Sequence, residues 1–588
     1  MNVSDDARTL YSYWVSQSDL PSDLAAELQS ISGDDAAILD RFYRDLEFGT
    51  GGLRGVLGAG TNRMNIYTVR KATVGFGRYI LEQAQRKNAA LPKCVVGYDC
   101  RRMSREFAVE VGLVLAKLGI TTYVFEHLCP TPELSFAVRQ LQAQGGIMIT
   151  ASHNPPEYNG YKVYDENGCQ VLPDDAARIT ALIEQTGSLF DIPVMALEEA
   201  EACGRFQWVG DAIDTAYTTR VVETIHLGEL GATDRDRVKI VYTPLHGTGN
   251  LPVRSVLAQA GYKDVFVVPE QAEPDGEFST VKSPNPEEAA ALAMSVELAK
   301  SKGADIAMGT DPDADRVGIA ARDQDGEYHL LSGNQVGGLL VDFVLQRRRA
   351  TGKLPSDGIV LKTIVTSELG AASARKLGVQ VEDTLTGFKY IGDRIAHYEQ
   401  AGTGTFLFGY EESYGYLAEG FVRDKDAVQT CLLIAEMTAF YKQKGWTLLD
   451  ALQDLYRRVG YFEERLISAT LPGLEGVQKI RDLMTGLRKD GLNVAGMTLA
   501  TVEDYESGTR TWTPDADGRE TPTERLTLPQ ADVLKYIFTD GSWLAARPSG
   551  TEPKIKFYVG AKGLSQENCF DAVTRLCAAV EDILQAVR

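Results

Sequence analysis

The chain is 588 residues long, with 24% charged and 44% hydrophobic residues and a formal net charge of -21. That length holds about three to five domains, and the acidic balance argues against nucleic acid or an anionic membrane as a partner while leaving room for a local basic pocket that takes a phosphorylated molecule. No apolar run of about 18 residues marks a membrane span, no basic region precedes an apolar core at the N-terminus, and eight cysteines scattered from Cys94 to Cys577 without a CxxC pair read as reduced thiols of a cytoplasmic protein.

Residues 1–47 read as helical and acidic. A glycine-rich stretch follows from Glu47 to Gly60, with one cation, Arg54. Such glycines let backbone N–H groups approach an anion. No Gly-Lys-Ser/Thr follows, so this is not a Walker A loop, and a plain flexible loop is the alternative reading. Apolar periodicity predicts a helix over 66–87, a strand over 94–98, a helix over 105–118, a strand over 121–125, a helix over 133–142 and a strand over 146–150. Strands alternating with helices indicate βαβ units and a largely parallel sheet.

The pattern restarts twice. Strand 238–242 leads through PLHGTGN to a helix, then to strand 264–268, helix 287–302 and strand 304–308. The third round has strand 359–365, helix 367–377, strand 379–383, helix 390–400 and strand 405–408. From about residue 460 the pattern changes to strands and turns, with strands expected at 542–546 and 555–559 and a final helix over 565–587. This end reads as a smaller α+β domain.

Four loops carry the chemistry. TASHNP places Ser152 at the carboxyl end of an apolar strand, and Pro155 and Pro156 force a turn there. GTDPDADR spaces Asp311, Asp313 and Asp315 two apart, which on an extended segment puts them on one face. At a few ångströms' separation each carboxylate pair repels by about 1–4 kcal/mol unless a hard cation such as Mg²⁺ intervenes. An EF-hand is excluded, because its glycine and glutamate positions hold Arg316 and Arg322. GYEESYGY offers Glu411 and Ser413 to sugar hydroxyls, and Lys425 beyond it is a candidate proton carrier. RPSGTEPK offers Arg547, Ser549, Gly550 and Thr551 as a phosphate cradle. The bland alternatives are solvated turns and a polar hairpin.

These four motifs, in this order, resemble the α-D-phosphohexomutases, and most closely the phosphoglucomutase branch, from about residue 40 to the C-terminus. The resemblance implies an α/β fold of three related domains with mixed, largely parallel sheets, plus a smaller C-terminal α+β domain, around a central active-site cleft. The expected boundaries are 1–209, 210–325, 326–458 and 459–588. It implies that Ser152 carries phosphate, that Asp311, Asp313 and Asp315 hold a Mg²⁺ that also touches this phosphate, and that Arg316 steadies the transferring group. Glu411 and Ser413 then bind sugar, and Arg547, Ser549, Gly550 and Thr551 bind the non-reacting phosphate. His153, Lys162, Lys389 and Lys425 match cleft residues, with Lys425 the expected acid/base, and Arg54 matches the arginine of the first glycine loop. The implied reaction interconverts glucose 1-phosphate and glucose 6-phosphate through glucose 1,6-bisphosphate, in a monomer or small homo-oligomer. Phosphopentomutase and phosphomannomutase are alternatives within the class. A Ser/Mg²⁺ phosphomonoester hydrolase and a non-catalytic sugar-phosphate-binding protein are the alternatives outside it.

Overall fold

The computed structural model describes residues 3–87, 91–225, 227, 230–471, 473–513, 522–549 and 554–587. The chain divides into two units. One comprises Met1–Leu331, Phe388–Thr403 and Tyr414–Thr447, and the other Ser332–Gly387, Gly404–Ser413 and Leu448–Arg588.

The first unit opens with helices Val3–Val15, Ser22–Ser30 and Asp35–Phe42, which close around Trp14, Leu28 and Phe42. The next helix, Ile66–Arg86, starts at a capping box. The Asn65 side chain accepts from the N–H groups of Tyr67 and Thr68, each at 3.1 Å, and the Thr68 hydroxyl oxygen accepts from Asn65 N–H at 3.0 Å. Its apolar face covers a six-stranded sheet in the order Gly52–Val56, Tyr158–Asp165, Gly145–Ile149, Lys93–Tyr98, Thr121–Phe125, Phe206–Val209. The last four strands are parallel, three of them as periodicity predicts and Phe206–Val209 beyond that reading, and the first two run antiparallel to their neighbours.

This corrects the reading of the glycine-rich stretch as a loop, because residues 52–56 form an edge strand with Arg54 in register with Gly160. The glycines serve close backbone approach. At Gly52 (φ 146°) an added Cβ would lie 1.9 Å from the Tyr161 carbonyl oxygen.

A second sheet in the same unit has the order Tyr328–Leu331, Val317–Arg322, Ile306–Thr310, Lys239–Thr243, Asp264–Val267. Its last three strands are parallel. Val317–Arg322 returns antiparallel to Ile306–Thr310, so the acidic motif is the connection of a hairpin. Among the described residues no helix is long and apolar enough to cross a membrane.

In the second unit, Gly358–Thr363 runs parallel to both Gln380–Thr384 and Thr405–Tyr410. Helices Gly333–Ala350 and Glu368–Lys376 belong to the same unit, the latter capped by the Ser367 hydroxyl. The predicted helix 390–400 is Phe388–Ala401 and belongs to the first unit. The C-terminal part is a seven-stranded antiparallel sheet in which Tyr461–Thr470 pairs with Lys554–Gly563 and that strand with Trp543–Pro548. Helices Gly473–Asp490 and Gln566–Val587 accompany it, around a core that includes Tyr536, Phe557, Val573 and Leu576.

Candidate active site

Strand Gly145–Ile149 is buried along its whole length and delivers Ser152 just beyond its carboxyl end, where open α/β sheets place their ligands. Ser152 has φ 52°, in the left-handed region that serine seldom adopts. Its N–H donates to Thr150 Oγ1 at 2.8 Å. Its hydroxyl donates to Asp311 Oδ2 at 2.8 Å and lies 3.1 Å from His153 Nδ1.

Sequence reasoning missed the groups that hold this turn. The buried Arg101 guanidinium donates to the carbonyls of Ser152 at 2.6 Å, Pro155 at 2.8 Å and Tyr158 at 3.1 Å, and to that of Asn154. Asp99 lies 3.3 Å from Arg101 and accepts from Thr150 Oγ1 at 2.6 Å and Ser104 Oγ at 2.8 Å. Burial raises the Asp99 carboxyl despite the neighbouring Arg101. A usable signal was present: Asp99-Cys100-Arg101 follows strand Lys93–Tyr98 at the same strand ends as Ser152.

The acidic motif also converges, although not as an extended segment. Ala314 has φ 51°, and its N–H donates to the Asp311 carbonyl at 2.9 Å. A turn therefore gathers the carboxylates, which corrects the expectation of alternating side chains. Carboxylate oxygens of Asp311, Asp313 and Asp315 lie within 4.8 Å of one another. Oδ1 of Asp313 and Oδ1 of Asp315 are buried without a hydrogen-bond donor. Each such oxygen costs about 1–3 kcal/mol or more, and a cation satisfies both. All-oxygen donors at a buried site fit Mg²⁺.

The surrounding charges are unequal. Burial, then repulsion from Asp313 and Asp315, pushes Asp311 well above the usual carboxylate range. Burial acts the same way on Asp313, but Lys162 at 2.7 Å outweighs it and holds Asp313 below its ordinary value, with Thr131 Oγ1 donating at 2.8 Å. Lys162 also lies 3.2 Å from Asp315. Lys425 Nζ sits 3.1 Å from both Asp315 and Asp424, and Tyr164 donates to Asp424 at 2.9 Å. Arg316 donates to Glu287 at 2.6 Å. Burial, then the cations Arg316 and Arg54, pushes the His153 imidazole well below its ordinary pKa, so it is neutral at pH 7. Arg54 reaches the serine turn through Asn154 Oδ1 at 3.1 Å. Lys389 instead donates to the Thr50 carbonyl at 2.7 Å, in the glycine-rich stretch.

In the second unit, Glu411 Oε1 accepts from Gly387 N–H at 2.9 Å, and Glu412 accepts from Thr363 at 3.2 Å and Thr366 at 3.1 Å. Ser413 follows, half-buried. Burial, then the charge of Glu412, raises the Tyr558 phenol, while a hydrogen bond with Arg547 opposes them. Ser549 N–H donates to the Lys554 carbonyl at 2.7 Å. Gly550 and Thr551 lie outside the described residues.

Four family models match the chain in order. They are phosphoglucomutase/phosphomannomutase alpha/beta/alpha domain I over residues 45–189, domain II over 215–326, domain III over 332–459 and the C-terminal domain over 493–575. A phosphoglucomutase of Staphylococcus epidermidis is 41% identical over 515 residues, spanning 87% of this chain and 90% of its own. One of Staphylococcus aureus is 39% identical over 526 residues, spanning 89% and 91%. Among solved structures, the exocytosis-sensitive phosphoprotein pp63/parafusin (phosphoglucomutase) of Paramecium, in an open form, matches with a TM-score of 0.65 at 16% identity, covering 93% of this chain and 95% of its own. A phosphoglucomutase/phosphomannomutase family protein of Burkholderia thailandensis matches with a TM-score of 0.64 at 18% identity, covering 91% and 97%. These two structures share the fold.

Proposed function

Because the chain belongs to the phosphoglucomutase/phosphomannomutase family of phosphohexomutases, we propose that it interconverts α-D-glucose 1-phosphate and glucose 6-phosphate through phosphoserine 152 and a glucose 1,6-bisphosphate intermediate. The observation that carries this reading is the Ser152 hydroxyl, 2.8 Å from one of three convergent carboxylates, two of which hold buried oxygens without donors. Glucose is favoured over mannose or ribose by the names of the relatives in Staphylococcus.

In this reading the phosphoryl group passes from Ser152 Oγ to one sugar oxygen, and the other phosphoryl group of the bisphosphate returns to Ser152. Mg²⁺ held by Asp311, Asp313 and Asp315 neutralises charge on the phosphoryl oxygens when bound. Positioning and charge neutralisation do most of the work in such transfers. Arg101 presents the serine, Arg316 faces the transferring group, and neutral His153 keeps a hydrogen bond to Oγ. Lys425 exchanges the proton of the attacking or leaving hydroxyl, with Lys162 and Asp315 beside it. Glu411 and Ser413 hold sugar hydroxyls, and Arg54 and Lys389 complete the substrate contacts. The cradle of Arg547, Ser549, Gly550 and Thr551 holds the phosphate that is not reacting. The reading keeps the four-domain division 1–209, 210–325, 326–458 and 459–588, and a cytoplasmic monomer or small homo-oligomer.

The test runs isomerisation and phosphate-release assays side by side on the wild type and Ser152→Ala, with glucose, mannose and ribose 1-phosphates. Isomerisation should far exceed phosphate release, glucose should give the highest specificity constant, and Ser152→Ala should lose on the order of 10³-fold or more. Equal rates of release and isomerisation would identify a hydrolase, and full activity in Ser152→Ala would refute the phosphoserine.

A further inference from the structure

The segment that follows strand Asp264–Val267 and helix Pro269–Ala272 of the second sheet reaches the serine turn of the first. Phe278, near its middle, is fully buried and has φ 49°, in the left-handed region where a bulky side chain is an outlier. The surrounding turn holds it there. The Asp275 carboxylate accepts from the N–H groups of Glu277 and Ser279, each at 2.9 Å, and Phe278 N–H donates to the Asp275 carbonyl at 3.1 Å. Thr280 Oγ1 accepts from Gln271 Nε2 at 3.0 Å and lies 2.8 Å from His246 Nε2, in the PLHGTGN stretch.

What this turn meets is Arg101. The guanidinium lies over the Phe278 ring, its central carbon 4.9 Å from the ring centre, inside the range of a cation–π contact. The backbones press equally close. A Cβ at Gly276 would stand 2.9 Å from the Cys100 carbonyl oxygen and 3.0 Å from Arg102 N. Arg102 pairs with Glu277, and Ser283 Oγ donates to the His153 carbonyl at 3.4 Å. The N–H groups of Arg101 are taken up by carbonyls of the segment from Ser152 to Tyr158. On the other side the ring attracts the charge and bars its retreat.

We propose that Phe278 is a positioning residue for phosphoryl transfer that acts through Arg101, which rests on the reading of Ser152 as the phosphoryl carrier. The ring fixes where the guanidinium sits, and the guanidinium fixes the turn that presents the Ser152 hydroxyl. The second sheet therefore supplies the acidic motif and also sets the nucleophile of the first sheet. The same segment continues to Glu287, which accepts from Arg316 at 2.6 Å, so one stretch of chain holds the serine turn and the acidic motif in register.

The test replaces Phe278 by 3,4,5-trifluorophenylalanine in the full-length protein, with and without Arg101→Lys, and measures glucose 1-phosphate isomerisation with Mg²⁺ present. Fluorination nearly keeps the shape and apolarity of the ring, so the fold is preserved, and removes most of the negative charge on its face. In the otherwise wild-type protein it should lower kcat/KM by about 3- to 20-fold. In Arg101→Lys, whose ammonium has no fork for the ring to place, the loss should be below about twofold. A ring that only fills space gives no loss on fluorination, or the same loss in both backgrounds, and either result overturns the proposal. A wild type that does not isomerise glucose 1-phosphate overturns the phosphoserine reading and this proposal with it, whereas an active wild type without the coupling overturns this proposal alone.

Discussion

Ser152 is held in its left-handed turn by side chains from elsewhere in the fold. Arg101 is 51 residues away in the chain, yet its guanidinium takes up four carbonyls of the segment from Ser152 to Tyr158. A lysine keeps the charge but loses the planar fork that reaches several acceptors at once. Hydrogen bonds to a charged group contribute about 1.5–3 kcal/mol each, and 1.4 kcal/mol is a factor of ten. Losing one of them without a change of charge should lower kcat/KM of Arg101→Lys by about 10- to 100-fold. Steady-state kinetics on a variant whose near-UV circular dichroism matches the wild type checks this. A loss below about twofold would show that the turn holds itself.

At the scale of elements, the strand Tyr158–Asp165 links the glycine-rich edge to the strand that delivers the serine. Its closeness depends on Gly160. A Cβ there would stand 2.5 Å from the Thr150 carbonyl oxygen and 3.0 Å from that of Leu53, and both are backbone atoms that cannot swing aside. Overpacking of this kind costs about 1–3 kcal/mol, which corresponds to about 1–4 °C in Tm for a unit of this size. Gly160→Ala should therefore lower the melting temperature by that amount and slow isomerisation. Gly187→Ala, where a Cβ meets nothing within 4 Å, should leave both unchanged. Scanning calorimetry on the two variants checks the pair, and equal melting temperatures would show that the sheet relaxes at no cost.

At the scale of the whole molecule, Asp311, Asp313 and Asp315 all belong to the first unit, and the C-terminal sheet to the second. On the proposed Mg²⁺ site, removing the ion should leave three buried carboxylates to repel one another, with two oxygens unsatisfied. A ligand present at 100 times its Kd stabilises the state that binds it by about 2.7 kcal/mol. Calorimetry in excess chelator and then in saturating MgCl₂ should raise the transition of the first unit and leave that of the second in place. Asp313→Asn should abolish most of the shift. A Mg²⁺ effect of equal size on both transitions, or none on either, would place the ion elsewhere.

Read alone, the sequence determined the fold class and the family. Strand and helix periodicities are local, so the parallel rounds, the terminal helix and the four loops follow from spacing within a few residues. Three carboxylates two apart already called for a cation and the RPSGTEPK loop for a phosphate, while the phosphoserine came only from the resemblance carried by the four motifs. Only the tertiary structure decided how these groups meet. The antiparallel edge strand Gly52–Val56 is stabilised by ladder bonds to Tyr158–Asp165, far from it in sequence, and a glycine-rich segment carries little strand signal of its own. The acidic motif converges through a left-handed Ala314. The donors that set its charge balance, Thr131, Lys162 and Lys425, come from a helix, a strand and a loop far from it in sequence. Desolvation and charge pairing depend on such distant neighbours, and local spacing does not encode them.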